Sequence, residues 1–468
     1  MARPETFFDS SGFKKKLRTA YNVLFAIFFV LASPYYFWRM RRRGEWQRGF
    51  PQRFGQYDAP VKQALTNRHV LWIHAVSVGE VNLCTQLINA LEPRVPNIKI
   101  VVSCTTTTGM REMQKHLPTR ITRIYYPIDH DKIVRRAQAT INPQAIILIE
   151  AEIWPNFLWR AADLGLPVFL ANARLSPRSF PRYKRFRWLF RPLFRSFAGV
   201  SCQNEADAQG LLAVGCRREA VRVVGNMKFD AAAKFSELKT LDTRQLLRQA
   251  GWIEGAPVLV AGSTHDGEEL LLVEMTRRLR EKFPNLFLVL VPRHFERCKD
   301  ITKKFKAHGI RSHNRTDIFR SVQLQPGDIE CLLVNTTGEL KFFYESADIA
   351  FVGKSLTAEG GQNPIEPAAL GKAVVFGPHM ENFADIARAF VAADAAVQVP
   401  DEPELERVLG ELLADPARRA AMGHAAKAVV AENLGAIHRT LEMILPHLEK
   451  RGIHILPAVD QSVPAAGE

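Results

Sequence analysis

Short apolar runs alternate with amphipathic stretches along most of the chain. One series comprises Val70–His74, Ile98–Cys104, Ala145–Ile149, Val168–Ala171, Val200–Cys202 and Val221–Val224. A second comprises Val258–Ala261, Leu286–Val291, Cys331–Val334, Ile349–Val352 and Ala373–Phe376. Few polar residues interrupt these runs, the pattern of parallel strands covered on both faces. The stretches between them fit crossover helices, so each series predicts an open, doubly wound α/β sheet. The polar segment 231–255 reads as the linker between two domains. Residues 402–450 are helical by composition, with a break at Gly435, and the tail after Pro457 is expected to be disordered. The expected division is an anchor with basic flanks (1–45), two Rossmann-like domains (46–235 and 236–455) and a tail (456–468).

The anchor is the uncharged segment Tyr21–Trp38, flanked by Lys14-Lys15-Lys16 and Arg41-Arg42-Arg43. It is at the lower limit for a helix that spans a bilayer, about 20 residues. Tyr35, Tyr36, Phe37 and Trp38 suit a membrane interface. No small-residue cleavage site follows, which favours a retained anchor over a signal peptide. Spanning the bilayer and entering one leaflet both fit. Every polar motif begins after residue 70, so the anchor reads as separable from the catalytic body.

Charge sharpens this picture. Residues 1–60 hold eleven Lys/Arg against four Asp/Glu, and Arg174–Arg195 holds eight basic residues and no acidic one. Such asymmetry implies an anionic partner. In the second block, Phe186, Leu189, Phe190, Leu193, Phe194 and Phe197 recur at helical spacing among Arg182, Arg185, Arg187, Arg191 and Arg195, with Pro192 a candidate break. This is either a basic amphipathic helix on an anionic membrane surface or a core helix with a solvated rim. Six scattered cysteines without a CxxC pair read as reduced, mostly buried thiols.

Candidate chemistry sits at the strand ends. After the first strand, His74-Ala-Val-Ser-Val-Gly79-Glu80 opens a helix, with Gly79 read as allowing a tight turn. Glu80 in the first helical turn could accept a proton from a substrate hydroxyl, or could serve only the helix dipole. Of the two carboxylates in Glu150-Ala-Glu152-Ile-Trp154-Pro155-Asn156, one is expected to reach the site, on the reading that they face opposite ways. Asn172-Ala-Arg174-Leu-Ser176 and Gly225-Asn226-Met227-Lys228-Phe229-Asp230 follow. The second half carries Gly262-Ser263-Thr264-His265, Pro292-Arg293-His294, Asn335-Thr336-Thr337-Gly338-Glu339 and Gly360-Gly361-Gln362-Asn363-Pro364-Ile365-Glu366-Pro367. Arginine and exposed backbone amides at strand ends suit a phosphate, and a glutamate there suits ribose hydroxyls. There is no P-loop, and the histidines lie in separate loops, so neither an ATPase nor a metal site is supported.

Taken in order, SVGE, EAEIWPN, NARLS, GNMKFD, AGSTH, PRH, TGEL and GGQNPIEP resemble the motifs of the Kdo (3-deoxy-octulosonate) transferases of lipopolysaccharide assembly, from about residue 20 to about 390. The resemblance implies the GT-B fold, two Rossmann-like domains with the acceptor on the first and CMP-Kdo on the second. It also implies inversion at the anomeric carbon, with no cofactor and no metal. Glu80 corresponds to the general base, and Glu150 and Lys228 to residues that stabilise the transition state. Pro292, Arg293, Thr337, Gly338, Glu339, Asn363, Pro364, Ile365 and Glu366 correspond to the CMP-binding segments. Arg174, Arg182, Arg185, Arg187 and Arg191 are expected to meet the acceptor or the membrane. The implied partners are CMP-Kdo, a lipid A precursor (lipid IVA) and an anionic membrane surface, not nucleic acid. The expected location is the inner membrane, with the catalytic domains facing the cytoplasm because a basic run follows the apolar stretch. Family members usually have Asp at Asn335, His at Gln362 and Thr at Ala151. The rival readings are a GT-B enzyme with another nucleotide-sugar donor and a non-catalytic lipid-binding scaffold.

Overall fold

The computed structural model describes residues 11–42, 47–150, 152–175, 179–233, 241–318 and 322–457. Ala151, Ser176 and the tail after residue 457, with the disorder expected of it, lie outside the described residues. The chain forms two compact units, 1–230 with 435–468, and 231–434.

The first unit holds a seven-stranded sheet: β1 (His69–His74), β2 (Ile98–Cys104), β3 (Thr122–Tyr125), β4 (Pro143–Ile149), β5 (Val168–Ala173), β6 (Gly199–Cys202) and β7 (Val221–Val223). Their order is β3-β2-β1-β4-β5-β6-β7, and every pairing is parallel. The second unit holds β8 (Val258–Thr264), β9 (Phe287–Pro292), β10 (Ser312–Asn314), β11 (Cys331–Leu333), β12 (Ile349–Val352), β13 (Ala373–Phe376) and β14 (Ala396–Gln398). Their order is β10-β11-β9-β8-β12-β13-β14, again all parallel. Both faces of each sheet are covered, which is why the central strands are apolar throughout. Strand order reverses between β1 and β4 and between β8 and β12. Ligands of open α/β sheets gather at the carboxyl ends of the strands beside such a switch.

Three strands are missing from the hydrophobic pattern, β3, β10 and β14. Each is outermost in its sheet; β3 and β14 are buried only in part, and β10 has no fully buried residue. An edge strand needs no apolar residue on both faces, so its sequence carries no unbroken run.

The second domain also ends earlier than the expected boundary at 455. Gly435 (φ 82°) does break the C-terminal helices, but the last helix, Ala436–Glu449, belongs to the first unit. Asp230 caps it, accepting from Gly435 N and Ile437 N, each at 2.6 Å. Ile437, Leu441, Ile444 and Leu448 then pack with the first unit's core.

The anchor is one helix, Ser11–Arg42, with a stretch from Lys16 to Trp38 long and apolar enough to cross a membrane. It is not a separate segment. Arg18 makes a bidentate pair with Asp163 (2.7 and 2.9 Å), and Tyr21 Oη donates to Asp129 at 2.8 Å while its ring packs edge-on against Trp159. Asn22 exchanges hydrogen bonds with Asn156. Its opposite face, including Leu24, Ile27, Phe28 and Leu31, is exposed.

In the basic block the chain breaks at Phe186 (φ −101°, ψ 37°) rather than at Pro192. The helix Arg187–Arg195 runs through the proline, because one lost hydrogen bond matters less than seating Leu193 and Phe194 in the core. Phe197 is buried too, whereas Phe186 and Trp188 stand exposed among Arg182, Arg185, Arg187 and Arg191. Core packing and an exposed basic aromatic face therefore coexist in this block. All six cysteines are buried thiols.

Candidate active site

In the first unit the site is built on the loops that follow β1 and β4, at the switch in strand order. After β1 the chain turns at Ser77, which caps the helix Val78–Leu91 by accepting from Glu80 N at 3.3 Å. Glu80 reaches back: Oε1 accepts from Ser77 Oγ at 2.9 Å and Oε2 from Val76 N at 2.7 Å. This reciprocal capping box fixes the carboxylate at the helix N-terminus. Gly79 lies inside the helix rather than in a turn. A Cβ there would meet only Ser77 Oγ, at 3.9 Å, so open space adjoins that position. Burial pushes the Glu80 carboxyl up to about 7, and the charges of Glu150 and Glu152 push the same way against the two hydrogen bonds. Glu80 thus caps the helix and also has the affinity of a base that works near neutrality.

Glu150, the first residue after β4, has φ 63°, in the left-handed region that non-glycine residues seldom occupy. Its Oε2 lies 3.2 Å from Arg174 Nε and its Oε1 lies 3.9 Å from Lys228 Nζ. Glu152 accepts from Trp154 Nε1 at 2.8 Å, and burial raises its carboxyl. Only one of these carboxylates was expected to reach the site; the charges of both act on Glu80. Residues two apart on an extended segment share a face, and the φ of Glu150 departs from the extended form altogether.

A chain of amides sets the cationic partners. Asn172, at φ 54° near the end of β5, accepts from Met227 N through Oδ1 (2.9 Å) and from Gln203 Nε2 through its carbonyl (3.0 Å). Gln203 accepts from Asn226 Nδ2 at 2.8 Å, and Asn226 accepts from Lys228 N at 3.0 Å. The motif around Arg174 is thereby tied to the one around Lys228. Arg174, expected to meet the acceptor or the membrane, pairs with Glu150 and stays 38% exposed. Gln203 was not singled out from sequence, although a buried polar residue directly after the run Val200–Cys202 is a usable signal. Asn172→Ala would free Met227 N and slacken Lys228. We expect turnover to fall about tenfold with donor affinity unchanged, as steady-state kinetics beside a nucleotide-binding titration would show.

In the second unit the loops after β8 and β12 are joined by Glu268, which is fully buried. It accepts from His265 N (2.8 Å), Lys354 N (2.8 Å), Ser355 N (3.1 Å) and Leu356 N (3.2 Å). Ser263 and Lys354 both take positive φ there. Gly353 is required by close approach, since a Cβ would lie 2.6 Å from Ser263 O. Pro292 ends β9 and Arg293, which is exposed, donates its N–H to Thr264 O at 3.1 Å. Asn363 accepts from Ile365 N and donates to Glu366, both at 3.1 Å, and Pro364 precedes the helix Ile365–Ala369. Burial raises the Glu366 carboxyl, offset by Asn363 and by the charges of Arg293 and Lys341. The motifs carrying Arg293 and Glu366 are thus brought together.

Thr337, Gly338 and Glu339 lie between β11 and the helix Leu340–Glu345, but the Glu339 carboxylate is already engaged. Arg315 donates to it twice (3.0 and 3.3 Å), and Thr336 Oγ1 donates at 2.7 Å. Arg315 belongs to no motif, so sequence reading missed it. Asn335 accepts from Thr316 N (3.0 Å) and donates to Thr316 Oγ1 (2.8 Å). An Asp there could accept both bonds, so this departure preserves the local link. Among the described residues, no group of three His, Cys, Asp or Glu is placed to hold a metal ion.

Two parallel-sheet α/β units, each with polar loops at its switch point, give the chain a fold of the GT-B type. Residues 48–231 match the family described as 3-deoxy-D-manno-octulosonic-acid transferase (kdotransferase). The 3-deoxy-D-manno-octulosonic acid transferase of Bordetella pertussis is 35% identical over 87% of this chain and 94% of its own. That of Haemophilus influenzae is 32% identical over 88% and 93%. Among solved structures, the UDP-GlcNAc 2-epimerase from Neisseria meningitidis bound to UDP-GlcNAc aligns with TM-score 0.52 at 16% identity, covering 82% of this chain and 100% of that one, which shows the fold alone. The chain belongs to the family of 3-deoxy-D-manno-octulosonic acid transferases and is a glycosyltransferase.

Proposed function

We propose that the enzyme transfers Kdo from CMP-Kdo to a primary hydroxyl of the lipid A precursor lipid IVA, at the cytoplasmic face of the inner membrane. The observation that carries this reading is the Glu80 carboxylate, held by Ser77 and Val76 and raised to about 7 beside the Glu150 cluster. As the acceptor oxygen bonds to the anomeric carbon, its proton passes to Glu80. The bond from that carbon to the CMP phosphate oxygen breaks with its electrons remaining on CMP. Lys228, oriented through Glu150, stabilises charge that develops in the transition state. Arg293 and the backbone around Thr337–Gly338 and Asn363–Ile365 receive the CMP, and Glu366 suits the ribose hydroxyls. Glu339 shapes this site through Arg315.

The anchor supports membrane attachment within one leaflet. Arg18 and Tyr21 bond to the first unit, and residues from Phe29 to Phe37, roughly 12–28 Å farther along a helix rising 1.5 Å per residue, line a groove with it. A helix crossing the bilayer would carry one end away from a domain on one side of it. Exposed Phe186 and Trp188 among four arginines supply a second contact suited to anionic lipid.

The test is to incubate the full chain with CMP-Kdo and tetraacyl precursor and weigh the products. A gain of one or more Kdo masses is expected, undiminished by EDTA, since cationic side chains serve the phosphate. Transfer only from UDP- or GDP-sugars would establish a different donor. Failure to bind CMP would favour the scaffold reading, and loss of activity in EDTA with rescue by Mg²⁺ would overturn metal independence.

A further inference from the structure

We propose that the groove between the anchor helix and the first unit is a fatty-acyl site that takes one chain of the acceptor; this rests on the amphiphilic acceptor proposed above. The groove encloses about 520 Å³, within the roughly 300–1,000 Å³ of small-molecule sites. Its walls are mainly rings: Phe29 and Phe37 from the anchor, facing Phe50 and Phe54 of the short turn Phe50–Phe54.

Part of the lining is polar. Thr105–Thr107 lie there, where β2 passes into the helix Thr107–His116, together with Arg53, whose Nη1 donates to Thr105 O at 2.7 Å. This polar part is linked to the base. Thr106 Oγ1 donates to Val76 O at 3.2 Å, and Val76 N is the donor that holds Glu80 Oε2 at 2.7 Å. The other wall is the helix whose outer face, with Val30 and Leu31 67% and 76% exposed, is fit for lipid. An acyl chain in this groove would present a phosphorylated sugar head toward Arg53 and Glu80.

Moving a chain from bilayer to groove exchanges one apolar surrounding for another, so affinity gains little. The groove supplies orientation, fixing the distance between chain and reacting hydroxyl. Its effect belongs in kcat/KM and in the choice of acceptor.

Ser33 lines the groove, so Ser33→Trp fills it, whereas Leu31→Trp places the same side chain on the exposed face. In full-length protein in nanodiscs, Ser33→Trp should lower kcat/KM for the tetraacyl acceptor about tenfold. Leu31→Trp should not, and neither variant should alter the rate with an acceptor head stripped of its chains. A wild-type acceptor analogue with a diazirine at a chain end should crosslink to both groove walls, and Ser33→Trp should reduce those adducts about tenfold. Equal loss with both acceptors, no loss, or adducts confined to the outer face would overturn the proposal. So would equal capture of a diazirine phosphatidylethanolamine that the acceptor does not displace, since the groove would then hold bulk lipid. If wild type transferred Kdo to no acylated acceptor, the functional reading would fall, and the crosslinks would still decide the groove.

Discussion

Glu80→Gln is expected to cut turnover by about two to four orders of magnitude while CMP-Kdo binding changes little, because general-base removal typically costs that much. Gln keeps the shape, and its single carbonyl oxygen can accept only part of what the carboxylate accepts from Val76 N and Ser77 Oγ. A modest loss of helix capping will accompany the loss of rate, and thermal denaturation separates the two. The pH profile gives a second signature. Burial raises the carboxyl to about 7, so below that pH it is protonated and cannot accept a proton. The wild-type rate should therefore climb with pH through about 7. Glu152→Gln removes one of the two neighbouring negative charges, so the climb should move to lower pH. For stability the sign is reversed: a free glutamate ionises near 4.5, and folding loses ground at this group as pH rises from there to about 7. Wild-type turnover in Glu80→Gln would remove Glu80 from the mechanism, and a pH profile unmoved by Glu152→Gln would reject the electrostatic coupling.

What the sequence made legible follows from burial. Strands β1, β4, β5, β8, β9 and β12 are central or next to central, and their apolar runs announced them to within a few residues. The capping box around Ser77 and Glu80 was local, four residues long, and its position in the first helical turn was readable. Relations between distant segments were not. Nothing in the order of residues says that Arg174 turns to Glu150, that Arg315 engages Glu339, or that Asp230 caps a helix more than 200 positions later. Those contacts depend on which strand ends the topology brings together. The sequence also offered no sign that the anchor is docked, because Arg18 read as part of a basic flank, and Tyr21 and Asn22 as the start of an apolar stretch, until their partners are placed.

The anchor's docking makes Asp129 a residue whose loss should cost considerable stability. Its Oδ1 accepts from Phe157 N at 2.9 Å, and its Oδ2 accepts from Asn156 N at 3.1 Å and from Tyr21 Oη at 2.8 Å. The side chain is buried, and burial pushes its carboxyl up to about 6 even though all three donors pull it down. Asp129→Ala removes the acceptor and leaves two backbone amides and a tyrosine hydroxyl to find others. Each unsatisfied buried donor costs about 1–3 kcal/mol, and relief from burying a charge offsets part of the sum, so a net loss of about 3 kcal/mol is expected. Because the folded carboxyl titrates near 6 and the unfolded one near 3.8, the stabilising contribution is greatest below about pH 4 and declines until about pH 6. The difference between wild type and variant should therefore narrow over that interval and stay level above it. Tyr21→Phe removes one bond and should cost only about 1 kcal/mol. Asn156 and Phe157 begin the helix that follows Glu152, so release of the anchor also loosens the turn that carries a site carboxylate. Denaturation of the full chain in detergent, with hydrogen exchange at the Asn156 and Phe157 amides, measures both consequences. A variant as stable as wild type, with those amides still protected, would mean that the anchor rests on the first unit without supporting it.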